Sequence, residues 1–172
     1  AVSGRKIDMA GRRPETMVRL DGRVCVVTGA GHGLGEATAV ELGSRGATGV
    51  LNDLGVSLSG DDPDDQPVQE AAVEDAGGTA VVSFGDVTDL DYAAELIETA
   101  VDAGGRLDQV VNFAGIQRDS LIHEMSEDAF DAVVDVHLKG HFATLRAATR
   151  HWREAHEAAG GFDDHRSYVA IS

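Results

Sequence analysis

The segment Thr28-Gly29-Ala30-Gly31-His32-Gly33-Leu34-Gly35 constrains this chain more than any other. It follows the apolar run Val24-Cys25-Val26-Val27 and opens an amphipathic stretch carrying Leu34, Ala37 and Leu42. That order reads as strand, glycine turn, helix. Glycines at alternate positions let the backbone turn sharply and approach a ligand closely. The helix behind them presents unpaired N–H groups and the positive end of its dipole, so the corner suits a phosphate. The register is not G-x-G-x-x-G, because Leu34 and Glu36 stand where that pattern needs glycine; what fits is T-G-x-x-x-G-x-G.

From Leu20 onward the apolar pattern alternates between strand-like runs and helical spacing, the mark of a parallel sheet with crossover helices. Strands are expected at 23–28, 49–53, 80–84, 107–113 and 168–171, and helices at 34–45, 67–76 and 89–103. Gly46 suits the end of the helix at 34–45. Thr88-Asp89-Leu90-Asp91 has the form of a capping box, and Ala93, Leu96, Ile97, Ala100 and Gly104 follow on one helical face. Phe130, Val134, His137, His141, Leu145, Ala148 and Trp152 trace one stripe, implying a long helix over about 127–156 that Gly160-Gly161 breaks. The Asp-rich stretch 54–67, with Asp61, Asp62, Asp64 and Asp65 around Pro63, reads as a solvated loop; it lacks the alternating carboxylates and glycine of a calcium loop. Residues 1–19 show no periodicity and are expected to be an extension, leaving 20–172 as one nucleotide-binding domain.

Thirty acidic against fourteen basic residues give a net charge of −16, which argues against a nucleic-acid or anionic-membrane partner. No apolar run approaches the roughly 18 residues that span a bilayer, and the start lacks a signal-peptide core, so a cytoplasmic protein is expected. Cys25, the one cysteine, lies among valines and reads as core. His137 and His141 stand four apart, but no Glu lies between them as in H-E-x-x-H and no third ligand is evident, so no metal site is expected.

Asp53 ends the second strand, at a separation from Gly35 close to the roughly 20 residues expected of a carboxylate that grips an adenosine ribose. A carboxylate there accepts from both ribose hydroxyls and repels a 2′-phosphate. Neither His32 nor Leu54, its neighbours, is the Arg or Lys that would offset that repulsion, so NAD is expected over NADP.

Glycine turn, Asp53, Gly85-Asp86-Val87 and Asn112-Phe113-Ala114-Gly115 follow one another at successive strand ends. In this order the chain resembles the short-chain dehydrogenase/reductase family. Val136-His137-Leu138-Lys139-Gly140 aligns with the family's V-N-x-x-G, with His at the catalytic Asn position; that V-H-L and Val50-Leu51-Asn52-Asp53-Leu54-Gly55 resemble the (3R)-hydroxyacyl-CoA dehydrogenase domain of peroxisomal multifunctional enzymes of type 2. The resemblance implies a Rossmann-type doubly wound parallel sheet of order 3-2-1-4-5-6, here ending after the fifth strand. It implies NAD bound by Gly29, Gly31, His32, Gly33, Leu34, Gly35, Asp53, Leu54, Asp86, Val87, Asn112, Ala114, Gly115 and Val136, with Asp86 on adenine. It also implies a role for the His137 backbone in a proton relay, an alcohol or carbonyl substrate of the 3-hydroxyacyl-CoA kind, and a homo-oligomer, tetramer or dimer, through the helix near 127–156.

The family's tyrosine with lysine four residues later is not in this sequence: Tyr92 and Tyr168 are followed at that spacing by Leu96 and Ser172. The family's serine would come one position after Ser172, so the chain is expected to be incomplete, and alone to aggregate through its open sheet edge. The rival readings are a catalytically empty dinucleotide-binding module and a class I methyltransferase, which shares the glycine turn and acidic strand end.

Overall fold

The computed structural model describes residues 18–55, 73–74, 77–161 and 164–171. Five strands, β1 (Val24–Thr28), β2 (Thr48–Asp53), β3 (Thr79–Phe84), β4 (Gln109–Asn112) and β5 (Ser167–Ala170), form one parallel sheet in the order β3-β2-β1-β4-β5. This is the doubly wound order that the family resemblance implies, and every strand's C-terminal end points to the same edge. The helix expected over 67–76 lies mostly outside the described residues, as do the stretch 56–67 with its aspartates and the extension up to residue 17.

Val24–Thr28 is buried throughout because helices cover both sheet faces. Helix α2 (Leu90–Gly104) sets Ala93, Leu96, Ile97 and Ala100 against Val24, Val26, Val50 and Val110, together with Ala143, Ala147 and Ala148 of α4 (His141–Ala159). On the other face α1 (Gly33–Ser44) contributes Ala39, which clusters with Val27, Leu51, Val73 and Ala80. Small alanines at these contacts let helix and sheet approach closely. Leu96, fully buried, contributes about 2–3 kcal/mol by its removal from water.

Helix α2 starts one residue later than a capping box on Thr88 requires. Asp89 is the N-cap, accepting from the N–H groups of Asp91 (2.7 Å) and Tyr92 (3.2 Å), while the Thr88 N–H donates to Asp86. Gly105, in the left-handed conformation, closes that helix. Strand β4 is shorter than expected because Leu107 and Asp108, though buried, precede its ladder.

The long helix is α3 (Glu127–Val134), a π-helical turn (Asp135–Gly140) and α4, running without a break in helical dihedrals. Residues 132–134, 136 and 137 are half-buried, Gly140, Ala143, Thr144, Ala147 and Ala148 are buried, and Phe130 and Leu145 of the expected stripe face solvent. Gly160 terminates α4 as expected.

At the sheet's N-terminal edge charges tie three strands together. Asp108 accepts from Arg23 (2.7 Å), from Arg106 through both oxygens (2.6 and 2.8 Å) and from the Val24 N–H (2.9 Å). Asp164 accepts from Arg23, Arg106 and Arg166. Burial pushes Asp108 upward, but these donors outweigh it and hold the carboxyl below its ordinary range; Asp164 is depressed by its bonds to Arg106 and Arg166.

Candidate functional site

A cavity of about 380 Å³ opens at the opposite edge, where β1 to β4 end and Ile171 follows β5. Its floor is the glycine turn. Gly29 adopts φ 61° and lies so close to the 113–114 backbone that a Cβ would meet the Ala114 N at 2.9 Å. A Cβ on Gly35 would fall 2.0 Å from the Gly29 carbonyl oxygen, so α1 can begin this close to β1 only with glycine there.

His32, the N-cap of α1, supplies no side-chain cap to its helix. The first-turn N–H groups of Gly33, Leu34 and Gly35 therefore meet the cavity without an intrahelical acceptor. Beside them stands Asp53. Its Oδ2 accepts from the Gly31 N–H at 2.9 Å and its Oδ1 from the Gly55 N–H at 2.8 Å. Two backbone donors fix the carboxylate plane, while each oxygen keeps a further lone pair for a ligand.

Leu54 stands exposed on the wall next to Asp53. Asp86 and the buried Val87 line the far wall; Asp86 spends one oxygen on the Thr88 N–H (2.8 Å). Ala114, Gly115, Val136 and His137 complete the end nearest β4. The structure thus brings together at one cavity thirteen of the sequence-derived positions: Gly29, His32, Gly33, Leu34, Gly35, Asp53, Leu54, Asp86, Val87, Ala114, Gly115, Val136 and His137.

Two sit elsewhere. Gly31 is buried behind the wall and acts through its N–H on Asp53. Asn112 is fully buried: its Oδ1 accepts from Thr28 Oγ1 (2.6 Å) and its Nδ2 donates to Thr144 Oγ1 and Tyr168 OH (both 2.9 Å). It braces β1, β4, β5 and α4 under the cavity, and with Thr28 it accepts from the Ala114 N–H. A buried amide must find such partners, which is why the strand end is polar.

His137 clamps the loop after β4. Its Nε2 lies 3.2 Å from the Ile116 N and 3.0 Å from the Ile116 O, accepting from the first in one tautomer and donating to the second in the other. The ring also packs on Gly115, where a Cβ would lie 2.7 Å from Cε1.

Residue reading missed Asn52, Gly85, Phe113, Ile116 and Ile171, which also line the cavity. Asn52 carried a signal, an amide within an apolar strand. Its Nδ2 donates to the Ser83 and Gly85 carbonyls and to Tyr92 OH, fixing the turn that carries Asp86. The others carried none, since ordinary apolar or glycine residues line a cavity only by position. Both tyrosines are structural: Tyr92 OH binds Asn52 and Ser83, and Tyr168 OH binds Asn112, Thr144 and the His141 carbonyl.

Residues 23–160 match the family model described as short chain dehydrogenase. Over 159 residues the chain is 45% identical to the hydroxyacyl-CoA dehydrogenase ChsB1 of Mycobacterium tuberculosis, covering 91% of this chain and 49% of that protein. Over 134 residues it is 47% identical to peroxisomal multifunctional enzyme type 2 of Drosophila melanogaster, covering 76% of this chain and 22% of that protein. A crystal structure of a short chain dehydrogenase from Mycobacterium paratuberculosis bound to NAD superposes with a TM-score of 0.72 at 29% identity, covering 80% of this chain and 53% of that one. The chain spans about half the length of the mycobacterial relatives, and a smaller share of the longer peroxisomal one.

Proposed function

This chain belongs to the short-chain dehydrogenase family, and from that premise we propose that it forms the nucleotide-holding part of an NAD-dependent oxidoreductase. One observation carries the reading: the Asp53 carboxylate, held by the Gly31 and Gly55 N–H groups, stands beside the uncapped first turn of α1. Open amides there suit a pyrophosphate, and the fixed carboxylate next to them suits the two hydroxyls of an adenosine ribose. A 2′-phosphate would place two negative groups in contact, with no Arg or Lys among the described residues that line the cavity to offset them.

Bound NAD would supply hydride transfer to or from a carbinol carbon. In this proposal the chain's own residues bind and orient. The Gly29–Gly35 turn holds the phosphates, Asp53 the adenosine ribose, and Asp86 with Val87 the adenine. Ala114 and Gly115 leave room for the nicotinamide ribose to approach the backbone, and His137 holds that loop through Ile116. Both tyrosine hydroxyls are engaged within the fold, and neither tyrosine lines the cavity. The name of the hydroxyacyl-CoA dehydrogenase relative supports a 3-hydroxyacyl-CoA-like alcohol as substrate.

Calorimetry on the intact polypeptide tests the reading with three ligands in parallel. Saturable binding of NAD is expected, with NADP weaker by at least ~tenfold and no heat from S-adenosylmethionine. Equal affinity for NADP, or binding of S-adenosylmethionine alone, overturns it.

A further inference from the structure

The corner that fixes Asp53 sets one titratable side chain next to it. Asp53 Oδ2 accepts from the Gly31 N–H at 2.9 Å, and a Cβ on Gly31 would lie 2.7 Å from that same oxygen. Position 31 therefore has no room for a side chain, and the next one along the turn belongs to His32, a single Cα step of ~3.8 Å further on. His32 is exposed, lines the cavity and is extended (φ −145°, ψ 162°), and its side chain does not cap α1.

The other charges at this end of the cavity are acidic. Asp53 ends β2, Asp86 follows β3, and Glu36 stands in the first turn of α1. Leu54, the other neighbour of Asp53 on the wall, is apolar. His137 belongs to the end nearest β4, where it is engaged with Ile116. No Arg or Lys is among the described residues that line the cavity, so at the Asp53 end His32 alone can bring a positive charge. Imidazole is the side chain whose ordinary charge change falls between about pH 5 and 8.

Resting on the nucleotide reading above, we propose that His32 makes the choice of nucleotide depend on pH. Neutral, it leaves Asp53 to exclude a 2′-phosphorylated adenosine. Protonated, it offsets the repulsion between that phosphate and Asp53, and the dinucleotide NADP gains access to the site. By linkage, NADP draws a proton onto the imidazole, and its affinity relative to NAD rises as pH falls. An imidazolium also attracts a pyrophosphate, but both nucleotides carry one, so the ratio of their affinities divides that contribution out.

The test is calorimetry on the intact polypeptide with NAD and NADP at about pH 8.5 and about pH 6, spanning the imidazole range. The 2′-phosphate takes up a proton of its own near pH ~6, which eases its repulsion in any variant. The parent is therefore read against His32→Gln, which cannot charge, and His32→Arg, which is charged throughout. From the higher to the lower pH the NADP-to-NAD affinity ratio should rise at least ~fivefold more in the parent than in His32→Gln. His32→Arg should show, already at the higher pH, a ratio at least ~tenfold above the parent's, with no more pH dependence than His32→Gln. Measured in buffers of different ionisation heat, NADP binding should take up more protons in the parent than in His32→Gln. Equal pH dependence in the parent and His32→Gln, an arginine variant that keeps the parent's ratio, or no detectable NADP binding by the parent at the lower pH each overturn the role of His32. NAD that fails to bind at both pH values overturns the nucleotide reading and this inference with it; NAD that binds with an unshifted ratio removes this inference alone.

Discussion

The two edges of the sheet are made by the same strands and treat polar groups in opposite ways. At the N-terminal edge, where Arg23 precedes β1, Asp108 precedes β4 and Arg166 precedes β5, five charged side chains saturate one another. At the C-terminal edge Asp53 and the amides of α1 keep spare capacity. One edge is closed by its own contacts and the other keeps open donors and acceptors. In a parallel sheet every crossover helix begins at the C-terminal edge, so uncapped N–H groups gather there, while the other edge is free to be locked for stability.

The largest effect should come from Gly35→Ala. Its Cβ has no space against the Gly29 carbonyl, so the turn must open. NAD affinity is expected to fall by ~100-fold or more, with some stability lost; binding within tenfold of the parent would mean that the turn does not hold the nucleotide.

Next, Asp108→Ala should lower stability by about 3 kcal/mol, read from urea unfolding, because it leaves the Val24 N–H and two arginines without their shared acceptor. NAD affinity should change little in the surviving folded protein. A variant that loses both equally would show that the two edges are not separate in function.

Asp53→Ala should weaken NAD by roughly 30-fold at nearly unchanged stability, and weaken NADP far less. This is the converse of Asp108→Ala, and equal losses for both nucleotides would remove the ribose role of Asp53.

A pH series sharpens the contrast. Asp108 and Asp164 have native pKa values depressed below their unfolded value near ~3.9. Their contribution is therefore complete above that pH and is lost as pH falls through the lower native values. Urea midpoints should fall below about pH 4, and less steeply in Asp108→Asn. The smallest effect is expected from His137→Asn. An amide can also meet the N–H and carbonyl of Ile116, so NAD affinity should stay within a few-fold.

Much of this was legible along the chain. The strand, glycine turn and helix at 24–44 follow from local period and glycine placement, a parallel sheet follows from the alternation of elements, and strand order came from the family resemblance. Asp53, Asp86 and Ala114 come to one cavity because each ends a strand, and parallel strands end together. The π-helical turn was not legible: no proline or glycine pair marks it. The N-cap of α2 at Asp89 rather than Thr88 turned on which of two adjacent side chains reached the free N–H groups.

Residue order by itself determined the layers, the glycine turn and the acidic strand end, because period, glycine and charge act between near neighbours. Tertiary structure alone decided which polar groups are spent. Asn112 and Thr28 lie 84 positions apart, yet their contact engages a fully buried amide, and Arg23 reaches Asp164 over 141. Saturation of a donor or acceptor depends on partners brought together by folding, and no local pattern carries that information.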